Sequence, residues 1–150
     1  YQKWPTLNNS IDIAQAVIDA LNSVTWSPTM TAVMQMSEDV KLEDFNSLKC
    51  YVMPFGSQSQ DAMSRDRNEW DYTVSIVIRK RATTLSQSDV STLFDLVTNV
   101  MDYLSSEKFG SNVRLVSNEN ANTYETEEIH SANQFTSRIE LGFKTFSLRL

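Results

Sequence analysis

Glycine, histidine and cysteine are scarce in this chain of 150 residues, which has three Gly, one His and one Cys. The glycines, Gly56, Gly110 and Gly142, lie far apart, so no Gly-rich loop is available to cradle a phosphate. A single His and a single Cys close off zinc clusters and His-assisted nucleophiles, and no cofactor is expected. Cys50 cannot form an internal disulfide. Its setting in LKCYVMP is that of a buried strand, where a thiol behaves as a small apolar group, and a reducing cytoplasm suits it. No apolar run approaches the ~18 residues of a membrane helix. The opening YQKWPTLNNS shows no signal-peptide pattern, and a chain soluble throughout, with no membrane partner, is expected. Positive charge is also short: 13 Lys and Arg against 19 Asp and Glu leave a net charge of −6. That argues against a protein that grips nucleic acid through many phosphate contacts, though not against one that DNA merely passes.

What is present reads as one globular domain over residues 1–150, with 41% hydrophobic residues, enough to bury a sizeable core. Asn8-Asn9-Ser10 fits a glycosylation pattern, but without a secretory route Ser10 serves better as a helix cap. Behind it, IDIAQAVIDALNS puts Ile11, Ala14, Val17, Ile18 and Leu21 on one helical face. WSPTM breaks that helix, because the residue before Pro28 is pushed out of the α region. TAVMQM alternates as a strand, SEDVKLEDFNSL forms a charged connection with room for a helical turn, and LKCYVMPF is a short apolar strand closed by Pro54.

The stretch from Gly56 to Asn68 is polar, and it leads into the clearest strand of the chain. In that strand Tyr72, Val74, Ile76 and Ile78 alternate with Thr73, Ser75 and Arg79, and Val77 is the exception. Ser86 and Asp89 have capping-box spacing ahead of a helix whose stripe is Val90, Leu93, Phe94, Val97, Val100, Met101 and Leu104. NVRLVS is a strand, NENANTYETEEIHSAN a second polar loop, and QFTSRIELGFKTFSLRL a last strand through Phe135, Ile139, Leu141 and Phe143. The expected fold is therefore α+β: a twisted mixed sheet of about five strands, two main helices on one face, and long polar loops at the sheet edges.

Motifs with chemical spacing are weak. Glu127-x-x-His130 matches one arm of a carboxylate-bridged metal site, but the second arm and the further carboxylates are missing. Ser105-x-x-Lys108 has the spacing of a Ser/Lys nucleophile pair and reads better as a helix end. Arg79-Lys80-Arg81 lacks interleaved aromatics and reads as a solvated strand edge, and Glu125, Glu127 and Glu128 as a solvated acidic loop or a match for a partner surface. A dozen residues without structure of their own are uncommon in a compact domain. The Gly56–Asn68 stretch, with Met63, Arg65, Asp66 and Arg67 among Ser and Gln, is suited to ordering against another chain.

A family resemblance joins these parts. A capped first helix, Trp26-Ser27-Pro28-Thr29 before a short strand, and a strand ending Val52-Met53-Pro54 come first. The polar loop, the Tyr72/Ile76/Ile78/Lys80 strand, a Leu/Val-rich helix and a last strand opening Phe135-Thr136-Ser137 follow. This succession, over roughly residues 10–145, resembles the tail-terminator and neck proteins of tailed bacteriophages. The resemblance implies a virion structural protein without enzymatic activity, assembled in the host cytoplasm. Its subunits would close into a ring, a homo-hexamer, at the head-proximal end of the tail. Such a ring caps tube polymerisation, binds tail-tube and neck or connector proteins, and lets double-stranded DNA pass through its lumen without specific binding. On that reading the assembly-interface residues are Met63, Arg65, Asp66, Arg67, Arg79, Lys80, Arg81, Glu125, Glu127 and Glu128. A head-completion ring of the same fold is the nearest alternative. A small-molecule-binding or enzymatic domain would be marked by a deep pocket lined with convergent polar groups, and a host-directed module by a stable monomer.

Overall fold

The computed structural model describes residues 10–35, 48–54, 58–62, 67–81, 86–110, 113–122 and 134–148. The elements run α1 (Ser10–Asn22), β1 (Ala32–Met34), β2 (Lys49–Met53), β3 (Gln58–Ala62), β4 (Arg67–Arg81), α2 (Gln87–Ser105), β5 (Val113–Asn122) and β6 (Gln134–Leu148). Five strands lie side by side in the order β1-β2-β4-β6-β5, with β1 parallel to β2 and the other pairs antiparallel. The sheet is mixed and open, and both helices pack on one face of it, so the α+β architecture is as expected. The charged connection expected before β2 lies outside the described residues.

The core forms between the helices and that face. Val74, Ile76 and Ile78 of β4 and Ile139, Leu141 and Phe143 of β6 are buried against Val17 and Leu21 of α1 and Val97 and Val100 of α2. Two helix stripes differ from expectation by a small rotation. In α1, Ile13 is fully buried and Ile11 is 47% exposed, because Ile13, Ala14, Val17, Ile18 and Leu21 form the tighter stripe and Ile11 falls at its margin. In α2, Leu96 is 1% exposed, whereas Val90, Phe94 and Met101 are only half-buried at the flanks.

Helix ends are closed by side chains. Ser86 caps α2: its hydroxyl accepts from the Asp89 N–H at 3.2 Å, and its own N–H donates to the Asp89 carboxylate at 3.1 Å. At the other end of the core, the Trp26 indole donates to the Leu21 carbonyl at 2.8 Å, and the Tyr103 hydroxyl to the Ala20 carbonyl at 3.1 Å. The two rings meet edge to face, 5.6 Å apart. Two of the last carbonyls of α1, those of Ala20 and Leu21, thus accept from aromatics that also tie α1 to α2.

Two expected loops contain strand. Within Gly56–Asn68, residues Gln58–Ala62 pair antiparallel with Asn68–Tyr72 of β4, and β4 itself begins at Arg67. Since β6 occupies one side of β4 along its whole length, β2 and β3 lie end to end along the other. The second polar stretch also starts in strand, for β5 continues through Asn118 to Asn122. Neither segment has an apolar period to reveal it. Each is held by backbone pairing to a neighbour of strong strand character.

Candidate assembly surfaces

Strand β4 organises the residues nominated for assembly, and it holds them apart. Arg67 is its first residue, opposite Leu148 of β6. Arg79, Lys80 and Arg81 are its last, opposite Thr136, Phe135 and Gln134. Fifteen strand residues span roughly 45 Å at the usual rise, so the two groups mark opposite ends of the molecule's longest ladder. Met63, Arg65 and Asp66 belong to the connection between β3 and β4, at the Arg67 end, and lie outside the described residues. Glu125, Glu127 and Glu128, with His130, belong to the connection between β5 and β6 and are likewise outside them. That connection leaves β5 at Asn122, opposite Arg138, and re-enters at Gln134, opposite Arg81.

The solvated edge expected for Arg79-Lys80-Arg81 needs correction. β4 is interior to the sheet, and Arg79 is half-buried between Lys49 of β2 and Thr136 of β6. Lys80 and Arg81 extend past the end of β2 and keep only β6 as a ladder partner among the described residues. At the other end of β4, Asp71 and Lys144 face each other across the ladder with 3.7 Å between carboxylate and ammonium, both side chains partly exposed. Such a pair contributes about 0–1 kcal/mol and sets local charge more than stability.

The two rims of the sheet differ. On the β1 side, the Asn22 side chain donates to the Ala32 carbonyl at 3.0 Å and accepts from the Ala32 N–H at 2.8 Å. One amide group thus imitates a neighbouring strand and occupies the outward backbone groups of Ala32, the first residue of β1. On the β5 side the ladder to β6 is shifted between Leu115 and Ser117 and between Asn120 and Asn122, two irregularities that bend the rim. At the first of these, a Cβ on Gly142 would meet the Ser117 hydroxyl, which would have to turn away. Asn118 crosses back to α2, donating to the Met101 carbonyl at 2.8 Å. Neither Asn22 nor Asn118 was legible as a fastening in the sequence; Asn22 lay just outside the apolar stripe and Asn118 in an expected loop.

Two features bear on chemistry. Ser105 closes α2, and its hydroxyl donates to the Asp102 carbonyl at 2.9 Å, a helix-end arrangement rather than one aimed at Lys108. A shallow cleft of about 450 Å³ lies beside β1 and β2, lined by Thr29, Met30, Thr31, Val33, Lys49 and Tyr51 among others, with Lys49 the one charged residue among the described lining. Cys50 also borders it, but burial pushes that thiol up to about 12, so it is protonated and a poor nucleophile near neutrality. No helix among the described residues is long and apolar enough to cross a membrane.

No protein-family model matches the chain, and the search of curated proteins finds no match. One solved structure aligns over 93% of this chain and 92% of its own, with 18% identity and a TM-score of 0.41, a likeness that carries no argument. The class of protein is thus defined by the architecture: an α+β domain with an open mixed sheet, two helices on one face, and a long central ladder bearing charged ends.

Proposed function

We propose that this chain is a structural virion protein of a tailed bacteriophage, a tail-terminator subunit. It closes with its copies into a hexameric ring at the head-proximal end of the tail. The ring caps tube polymerisation and joins the tube to the neck or connector, and double-stranded DNA passes through its lumen. The work is done by association, and no catalytic group or cofactor is required.

The observation that carries this reading is the β4–β6 ladder. It pairs fifteen residues on each strand, with Arg67 at one end of β4 and Arg79, Lys80 and Arg81 at the other. A rigid bar with unlike ends suits a subunit that meets tube on one side and neck on the other. Its two unlike rims suit head-to-tail contact around a ring, since a heterologous interface that closes gives rings rather than dimers. The acidic balance fits a lumen that lets phosphates slide.

Light scattering across a broad concentration range, with electron microscopy of the larger species, tests the reading. A monomer in exchange with a closed ring is expected. A dominant twofold dimer at every concentration would count against it.

A further inference from the structure

The middle of the sheet's helix-free side is buried, for Tyr51, Met53, Val77 and Thr136 alternate there with residues of the core. Its margins are open. Among the described residues, the large apolar side chains that stand exposed are Ile11, Val33 and Val116, and the two valines mark the opposite rims of the sheet, β1 and β5. Val33 borders the cleft beside β1, together with the exposed Thr29 and Thr31. Val116 is the residue that the first ladder shift leaves without a partner on β6, between Leu115 opposite Phe143 and Ser117 opposite Gly142. Its Cγ2 lies 3.8 Å from the place a Cβ on Gly142 would take. Gly142 alternates with Leu141 and Phe143 of the core, so Val116 lies on the helix-free side, as Val33 does.

Each valine has a like-charged pair beside it on that same side. At the β1 rim, Val33 is level with Tyr51 and Val77 across the ladders, and two residues further along β4 Lys49 stands opposite Arg79. At the β5 rim, Val116 lies beside Gly142, which is level with Thr73 of β4. Two residues further along β4, level with Ser75, Glu119 stands opposite Glu140. The order is thus valine and then charge, in the same direction along the strands, and the sign alone differs. Like charges directly opposite one another weaken a ladder, so each pair gains from the other sign brought near it. Arg114, opposite Lys144, lies on the other side of Val116, and Lys144 already meets Asp71.

We propose that the β5 rim of one copy docks on the β1 rim of the next, with Val116 seated in the cleft against Val33 and Glu119 beside Lys49. This rests on the ring reading and names the rims that would make the ring. Charge complementarity selects a second copy as the occupant, because both rims belong to one chain and are unlike, as a heterologous contact requires. The spacing agrees. A neighbour in the same orientation, shifted along the strands from the level of Thr73 to that of Val77, brings valine to valine and carboxylate to ammonium in one step. That shift is roughly 13 Å at the usual rise, and strands inclined to the axis of a closed ring absorb such an offset, as they do in a barrel. The contact runs through side chains, since Asn22 occupies the outward backbone groups of Ala32 and the ladder shifts bend β5.

The test uses two full-length variants, Val33→Asp and Val116→Asp, each of which spoils one rim. Circular dichroism and melting establish that each folds. Where one does not, Val33→Thr or Val116→Thr takes its place and is expected to weaken assembly in the same sense by less. In sedimentation velocity each variant alone should need a concentration at least about tenfold higher than wild type to assemble, since a carboxylate would be buried against valine. Mixed in equal amounts at the highest concentration at which each alone is monomeric, the two should give a one-to-one dimer and nothing larger, because one intact β1 rim and one intact β5 rim remain. Lys49→Glu and Glu119→Lys should each weaken assembly, and the chain carrying both should recover it. Variants that each assemble as wild type, a mixture that stays monomeric, or a doubly exchanged chain no better than the single ones overturns this contact and leaves the ring reading standing. A wild-type chain that never forms a closed assembly overturns both.

Discussion

Cys50 and the residues of the α2 stripe show how much a single position decides. Burial alone lifts the Cys50 thiol from 9.0 to about 12, so the folded chain holds it protonated where an unfolded chain would begin to ionise. A raised value of this kind leaves stability intact below about pH 9 and erodes it as pH climbs towards 12. Urea melts between pH 8 and 10.5 should show that alkaline loss, and Cys50→Ala should flatten it. Alkylation of the native chain at pH 8 should be on the order of a hundredfold or more slower than in denaturant, since the thiol is reached only through opening. A thiol labelled at equal rates in both states would mean that β2 is not the buried strand described. In α2, Leu96→Ala should cost about 2–5 kcal/mol as a full core truncation. Phe94→Ala should cost only about 1–2 kcal/mol, because its ring is half-buried at the flank, edge to face with Phe135 at 6.1 Å. The sequence-based stripe had Phe94 in place of Leu96. A 3.6-residue period shows that a face exists, but neighbouring apolar residues compete for its centre, and only the partner surface chooses between Leu96 and Phe94. The same competition exchanged Ile11 for Ile13 in α1.

Elements were legible where the sequence had to pay for burial and silent where the backbone alone did the holding. Both helices, the Ser86–Asp89 cap and the alternating halves of β4 and β6 stand out because apolar side chains repeat with the right period. Strand β3 and the Asn118–Asn122 half of β5 do not, since their residues are polar and their place comes from hydrogen bonds to β4 and β6. This changes what shortening the β3–β4 region does. Removing Ser57 to Arg67, reasonable for a structureless loop, now removes β3 and the first residue of β4, and should lower the melting temperature well beyond a few degrees. Replacing only residues 63–66 by an Asn-Gly turn keeps both strands, and should shift melting by no more than about 2–4 °C, equivalent to roughly 1 kcal/mol in a chain this size. If that variant folds and assembles normally, the connection is no assembly arm. The α2 cap has its own acid dependence. The Ser86 backbone N–H and side chain hold the Asp89 carboxyl below its ordinary value, with Lys80 assisting. The cap's contribution is therefore full above about pH 4, where the carboxyl of an unfolded chain is ionised, and is lost as pH falls through the lower folded value. Amide exchange at the start of α2 should accelerate on acidification before the centre of the helix does, and Asp89→Asn should remove that step.

At the scale of the molecule, a net charge of −6 conceals an arrangement that composition cannot express. The sequence shows runs, such as Arg79-Lys80-Arg81 and Glu125 to Glu128, and these draw attention as patches. It does not show that Lys49, Arg79, Arg114 and Arg138 share a face, because their strands come from distant parts of the chain and only ladder register brings them together. Nor do isolated aspartates in two helices, one after the other in sequence, read as a surface until both helices lie on the same side of the sheet. Self-association held by charge has a signature that separates it from apolar docking. Charges on opposing surfaces are screened over about 10 Å at 0.1 M salt and about 3 Å at 1 M, so raising sodium chloride from about 50 to 500 mM pushes a charge-held assembly towards monomer. An interface held by apolar burial would respond weakly, and excluded salts such as sulfate would strengthen it. Sedimentation velocity at fixed protein concentration across the two salt series would decide: dissociation in chloride marks an interface held by charge, whereas assembly that persists in chloride and grows in sulfate marks one held by apolar burial.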